Sequence, residues 1–249
     1  MTISFMKRLL FVFLYLIIPL AIFSQASGGQ IRRNTPSSSI SNACNANNSN
    51  NLYAKTGSHN GYDYVDLGLS VNWATCNVGT KLIWEMSEAY VWGNTVPGYE
   101  DLSDPLRKHI RTDLGNNISK GEYDAAHKNM GGEWRMPSWI EAQELIDRCR
   151  WKYTKYRGVN GFDVIGPNNN KIFIPVDSYS YDENSNLYRV TVELWTSSGE
   201  MDNKNNLFWA NFIEIEYNPH QKKYMLSPRI SKEAKYYAKR IRGVYNKRE

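Results

Sequence analysis

Asp182, Asn184 and Asn186 of "DENSN" stand at alternate positions, the spacing at which a calcium loop presents its oxygens. No glycine follows to turn such a loop and no bidentate glutamate stands at the right distance, so a polar turn is the plainer reading. His59, His109, His127 and His220 are scattered and share no metal-ligand spacing, so neither a metal nor a cofactor is expected. Cys149 with a distant histidine would mimic a nucleophile pair, but it falls on the apolar stripe of a predicted helix, and a catalytic thiolate needs an accessible, electropositive niche. Arg135 has the planar fork of an anion clamp. Against that stands an arginine bonded to backbone carbonyls or to an acid such as Glu144 and stacked on Trp134. A nucleophile elbow, a P-loop and a dinucleotide fingerprint are all missing. What remains is aromatic. Tyr179, Tyr181, Tyr188, Trp195 and Trp209 gather around the polar segments 177–186 and 199–206. Such rings stack on sugars or on partner side chains, while Asp182 and Asn184 supply directed hydrogen bonds. Trp195 and Trp209 read better as core; Tyr179 and Tyr181 fit either role.

These residues need elements to hold them. In "GGEWRMPSWIEAQEL" (131–145), Ser138 follows Pro137, and Glu141 stands three residues later, a capping box. Apolar residues then fall at Trp139, Ala142, Leu145, Ile146 and Cys149, which predicts a helix over 139–149 with that stripe turned inward. Pro137 biases Met136 towards extended backbone, so Trp134, Arg135 and Met136 form a rigid segment abutting the helix. Trp134, Arg135, Pro137, Ser138 and Glu141 are thus read as architectural. A second, short helix is expected near "YDAAHKNM". Elsewhere the pattern is strand and turn: two strands around Gly68, one over 89–100, a hairpin over 161–176, alternating runs at 187–198 and 206–218, and two closing arms. About eight short strands, mostly antiparallel, with one or two helices make a single compact α+β domain.

The ends place the chain. Lys7 and Arg8 precede about 15 apolar residues, Leu9 to Phe23, which is shorter than the ~20 that span a bilayer, and Pro19 interrupts them. Small residues follow, so residues 1–26 read as a signal peptide cleaved between Ala26 and Ser27, with no transmembrane segment afterwards. Cleavage takes away Lys7 and Arg8 and no acid, so the formal net charge of +5 drops by two, too small a surplus to argue for nucleic acid. Residues 27–60, rich in Ser and Asn, read as a flexible tether and residues 61–249 as the domain. In an oxidising compartment Cys76 and Cys149 either pair, closing a loop of about 73 residues worth on the order of 4 kcal/mol, or pack as small apolar groups. Cys44, on the tether, is a candidate for self-association.

"YDYVDLGLSVNWATCNVG", "EAYVWGNT", "GGEWRMPSWIEAQELIDRCRW", "NGFDVIGPNNNKIFIPV", "LWTSSGE" and "YYAKRIRGV" occur in that order between residues 62 and 244. Together they resemble the Fibrobacter succinogenes major paralogous domain family of secreted and surface proteins in Bacteroidetes. The chain departs from that pattern in reading "WRMPS" for "WRMPT", and Arg242-Gly243-Val244 for Arg-Pro-Val. The resemblance implies a periplasmic, secreted or cell-surface location and a C-type-lectin-like fold. It points to an adhesin or carbohydrate binder, although a distant branch of the fold generates formylglycine with paired cysteines. The Glu-Pro-Asn and Trp-Asn-Asp signatures of a calcium lectin are missing here. The expected function is therefore a non-enzymatic binding or adhesion module for a glycan or a surface protein. Its recognition face is expected to be built by the loops after residues 176 and 198. An enzyme on the same scaffold and a structural subunit of a surface appendage are the alternatives.

Overall fold

The computed structural model describes residues 53–98, 114–183, 187–202, 207–220 and 227–247. The expected signal peptide with its Ala26–Ser27 junction, Cys44, most of the tether and Asn184 lie outside the described residues. Among the described residues thirteen strands and two helices follow one another. One sheet holds β1 (Gly57–His59), β2 (Tyr62–Val65), β3 (Val71–Asn77) and β13 (Arg242–Asn246), in the order β1-β2-β3-β13. β4 (Tyr90–Val91) pairs with β12 (Ala238–Lys239). A three-stranded meander contains β5 (Arg150–Tyr156), β6 (Val159–Ile165) and β7 (Lys171–Pro175). The last sheet holds β8 (Ser178–Asp182), β9 (Leu187–Asp202), β10 (Leu207–Tyr217) and β11 (Arg229–Ala234), in the order β11-β10-β9-β8. The paired strands run antiparallel. The helices are α1 (Ala125–Met130) and α2 (Trp139–Arg148). Mostly antiparallel strands with two helices agree with the expected α+β class.

The boundary expected at residue 60 moves. Tyr53 is already buried, beside Ile83 and Phe173, and β1 pairs with β2. One aromatic among polar neighbours gave too little local signal, because its partners Tyr156 and Phe173 lie more than a hundred positions away.

The strands pack differently from a sheet with one wet face. β3 is buried along its whole length. Trp73 enters one core with Leu145, Phe162 and Ile213, while its neighbour Ala74 enters a second with Trp92, Trp134 and Trp195. β13 does the same with Val244 and Tyr245, and so do β9 and β10 with Leu194 and Trp195, Ile213 and Phe212. Successive side chains point to opposite faces, so a strand between two cores must be apolar on both. Trp195 is therefore core, its indole N–H donating to the Tyr90 carbonyl at 3.0 Å.

The segment ahead of α2 ties both cores together. Gly131 and Gly132 turn with φ of 68° and 57°, and a Cβ on Gly132 would collide with the His59 imidazole. Gly132→Ala is expected to cost at least about 1–2 kcal/mol from the left-handed backbone alone, measurable by urea melts. The extended backbone then pairs with β13: Arg135 N–H donates to Val244 O at 3.1 Å and Val244 N–H donates back at 2.8 Å. The capping box is complete, with Glu141 N–H donating to Ser138 Oγ at 3.3 Å and Ser138 N–H to the Glu141 carboxylate at 2.8 Å.

Arg135 bonds a backbone carbonyl, that of Met136, and an acid, as expected, while one burial expectation in this region fails. Arg135 takes Glu141, not Glu144, through Nη1–Oε2 at 2.8 Å and Nη2–Oε1 at 2.5 Å, and adds Asn246 Oδ1 at 2.8 Å from Nη2. Glu144, a turn further along, accepts from Ser70 and Arg148 instead. Trp139 was expected inside but is 46% exposed, and Ile140 is 63% exposed. The first turn of α2 reaches past the edge of the core and is held by the Trp139 N–H donating to Ser198 Oγ at 3.1 Å rather than by burial.

Burial opposes ionisation of Glu141, but hydrogen bonds from Arg135 and Ser138 outweigh it and hold the carboxyl below the usual range. A depressed carboxylate stabilises the fold above its ordinary pKa and loses that contribution as pH falls through the folded-state value. Acid titration of Glu141→Gln should accordingly show a shallower loss of stability below about pH 4.5 than the parent.

Candidate functional site

β8 forms one edge of its sheet, and each of its five residues is exposed. Tyr181 lies opposite Tyr188, and Tyr179 opposite Val190. Directly opposed residues share a face, so all three tyrosines lie on the face of Val190. Val190 is fully buried while Tyr179 and Tyr181 are 49% and 58% exposed. The face that is core under Val190 thus becomes an aromatic ledge beyond it. Half-buried Tyr188 is the step between: its ring centroid is 6.2 Å from that of Tyr179 and 5.0 Å, edge-on, from that of His220. Behind it Tyr153 and Tyr217 lie 5.3 Å apart. Burial, then the hydroxyls of Tyr179, Tyr188 and Tyr217, push the Tyr153 phenol up to about 12, which marks the four rings as one neighbourhood.

The same register overturns part of the sequence reading. Asp182 alternates with Tyr181 and so takes the opposite face of β8, away from the rings. The carboxylate that shares a groove with Tyr179 is Glu85. It helps line this groove of about 340 Å³, formed by Val176 and Tyr179 from around the start of β8, by Leu82, Trp84 and Met86 from the segment after β3, and by Val159 of β6. The Glu85 carboxylate accepts from Thr80 Oγ, and Glu85 N–H donates to Leu82 O at 3.2 Å, so the wall is a closed turn. The Arg157 guanidinium sits 4.4 Å from the centre of the Trp84 ring. The apolar residues of "KLIWEM" show in the sequence, but without periodicity nothing there ties them to Tyr179.

The two expected recognition loops do not share a face. β9 runs from Leu187 to Asp202, 16 residues, which at ~3.3 Å each is about 50 Å. The segments after 176 and 198 therefore stand towards opposite ends of one strand. Trp209 pairs with Glu200 and Ala234 at the far end and is not part of the ledge.

Apart from Tyr153, several groups with perturbed ionisation lie outside both clefts. Burial pushes the Asp177 carboxyl up to about 7, against the Arg240 guanidinium, and burial pushes the Lys235 ammonium down to about 8. Cys149 is buried at the end of α2, and burial takes its thiol up to about 12. Cys76, also buried, donates to the Thr80 carbonyl at 3.2 Å, and no disulfide joins the two sulfurs in this structure. None of these four lines the ledge groove or the second cleft, of about 370 Å³, on the other face of the same sheet. At that cleft Arg189 faces Glu216 at 4.0 Å, and Arg229 faces Glu214 at 3.0 Å and Glu216 at 3.6 Å, so two arginines meet two acids and the charges largely cancel.

Because Tyr181 is so exposed, Tyr181→Ala is expected to change stability by no more than about 0.5 kcal/mol in a denaturant melt. Any loss of binding in that variant is then a surface effect.

Compared with family models, curated proteins and solved structures, the chain matches none.

Proposed function

We propose that this protein is a secreted, non-enzymatic binding module of C-type-lectin-like type that holds a glycan on the ledge of β8. One observation carries this: Tyr179 and Tyr181, two residues apart on one face, keep about half their area exposed, and Tyr179 lines a groove with Trp84 and Met86. Rings aligned along an edge offer flat apolar faces to sugar rings, and Glu85 offers an acceptor for hydroxyls. Against an enzymatic reading, Asp177, Lys235 and Cys149, whose ionisation burial shifts, line neither cleft. The order of motifs shared with the Fibrobacter succinogenes major paralogous domain family, together with the apolar N-terminal run, supports a periplasmic or surface location. A protein partner is the second reading, favoured by the apolar wall of Leu82, Met86 and Val159, which would take an aliphatic side chain.

A glycan array probed with the protein and with its Tyr179→Ala/Tyr181→Ala variant tests the proposal. Loss of two stacking rings should weaken binding at least about 30-fold, at roughly 1 kcal/mol or more per ring. Binding that survives the double substitution rejects the ledge. An array without any signal rejects the glycan and leaves the protein partner.

A further inference from the structure

Asp177 joins the end of β7 to the start of the ledge strand, between Val176 and Tyr179, both of which line the groove. Its Oδ2 accepts from the Glu193 N–H on β9, and its own N–H donates to Thr191 O at 2.8 Å. Arg240 Nη1 stands 3.1 Å from Asp177 Oδ1, an ion pair whose contact is not aligned as a hydrogen bond. Arg240 Nε donates to the Ser87 carbonyl at 2.9 Å, and Ser87 follows Met86 on the opposite wall. The Arg240 backbone is itself fixed to β9, its carbonyl accepting from Trp195 N–H at 2.9 Å. One guanidinium therefore bridges the two sides of the groove.

We propose that the Asp177–Arg240–Ser87 bridge is a proton-operated latch that positions the groove walls: ionised Asp177 holds Arg240, and Arg240 holds the Ser87 turn against the ledge. The inference rests on the ledge being a binding site only for its biological use, not for its mechanics.

The groups facing Asp177 are Arg240, the Glu193 carboxylate on β9, Lys239 on β12, and Arg242 on β13, which it also influences. Lys239 is itself engaged by Glu193 at 2.9 Å and Glu233 at 3.6 Å. Burial is the dominant influence on Asp177, so its proton is held more tightly in the folded than in the unfolded chain. The sign follows. The contribution of Asp177 to global stability is greatest at low pH and declines as pH rises through about 7. Acidification across that range therefore releases Arg240 and loosens the Ser87 turn without loss of fold through this group. Ordinary acid unfolding would loosen the whole domain together.

Hydrogen exchange of the ligand-free protein, corrected for intrinsic rates and read by mass spectrometry over residues 82–88, tests the latch. The segment should exchange about tenfold faster at pH 5.5 than at pH 8, while β3 keeps its protection. Asp177→Asn should show the fast rate at both pH values, and Arg240→Gln should do the same should the first variant fail to fold. Glu193→Gln removes a like charge and should shift the midpoint of the transition to lower pH. Equal protection of 82–88 at both pH values in the parent, or a surviving pH response in Asp177→Asn, overturns the latch. No ligand enters these measurements, so a silent glycan array and a failed latch are separate results.

Discussion

A protein carrying lysine in place of Arg242 is expected to unfold about 10 °C below the parent, the largest loss of any conservative substitution considered. Arg242 is fully buried. Its Nε donates to Asn77 Oδ1 at 2.8 Å, Nη1 to the Ala74 carbonyl at 3.1 Å and Nη2 to the Phe173 carbonyl at 3.1 Å. Three strands, β13, β3 and β7, thus converge on one planar fork. Burial pushes the guanidinium down to about 10, with the negative character of Cys76 and Asp177 opposing the fall. Lysine presents a point charge that cannot span three acceptors set in different directions. Leaving two buried acceptors without donors costs about 1–3 kcal/mol each. A total near 3–5 kcal/mol lowers the melting temperature of a domain of this size by ~2–4 °C per kcal/mol. Calorimetry decides: a shift under about 2 °C would mean that the guanidinium is not the joint between these sheets.

Asp124→Ala should cost nearly as much. Asp124 is fully buried and caps α1, its Oδ1 accepting from His127 N–H at 3.0 Å. Oδ2 accepts from Lys120 N–H at 2.9 Å, and Met136 N–H reaches both oxygens at 3.1 and 3.0 Å. One carboxylate therefore satisfies three backbone donors, one from α1, one from the turn before it, and one from the segment that enters α2. The cap alone is worth about 0.5–2 kcal/mol, and buried donors to a charged acceptor add about 1.5–3 kcal/mol each. Partial relaxation leaves an expected loss of about 3–4 kcal/mol, read from the midpoint of a urea melt. Asp124→Asn keeps one acceptor oxygen and should recover part of it. An alanine variant as stable as the parent would show that water replaces the carboxylate and that the two helices are not coupled through it.

The legible parts of the fold were the local ones. The capping box of α2 is an interaction over three residues, and the β6–β7 hairpin turns on Asn169 with φ of 67°, so neighbours in sequence were enough to place both. The alternation of β9 and β10 was readable for the same reason. What was hidden depends on distant partners. Arg242 in "KRIRGVY" looks like a solvated charge until Asn77 and Ala74, 165 and 168 positions away, close around it. Tyr179 and Tyr181 stood out as aromatics amid serines, but only the edge position of β8 decides that they are exposed. Asp182 was grouped with the rings, yet it alternates with Tyr181, because a strand's register, not its composition, decides which residues lie together. Glu85 and Met86, the opposite wall, come from a turn some 95 positions upstream and carry no pattern that points to Tyr179.

The joints that hold the sheets are buried and the rings proposed to hold a ligand are exposed, so the proposed binding can be tested without disturbing the fold. Titrating the strongest glycan on the array against the parent and the Tyr179→Ala/Tyr181→Ala protein, at matched melting temperature, is the direct check. The expected outcome is saturable binding by the first and at least about a 30-fold weaker response from the second. Equal affinity for the two proteins would contradict it.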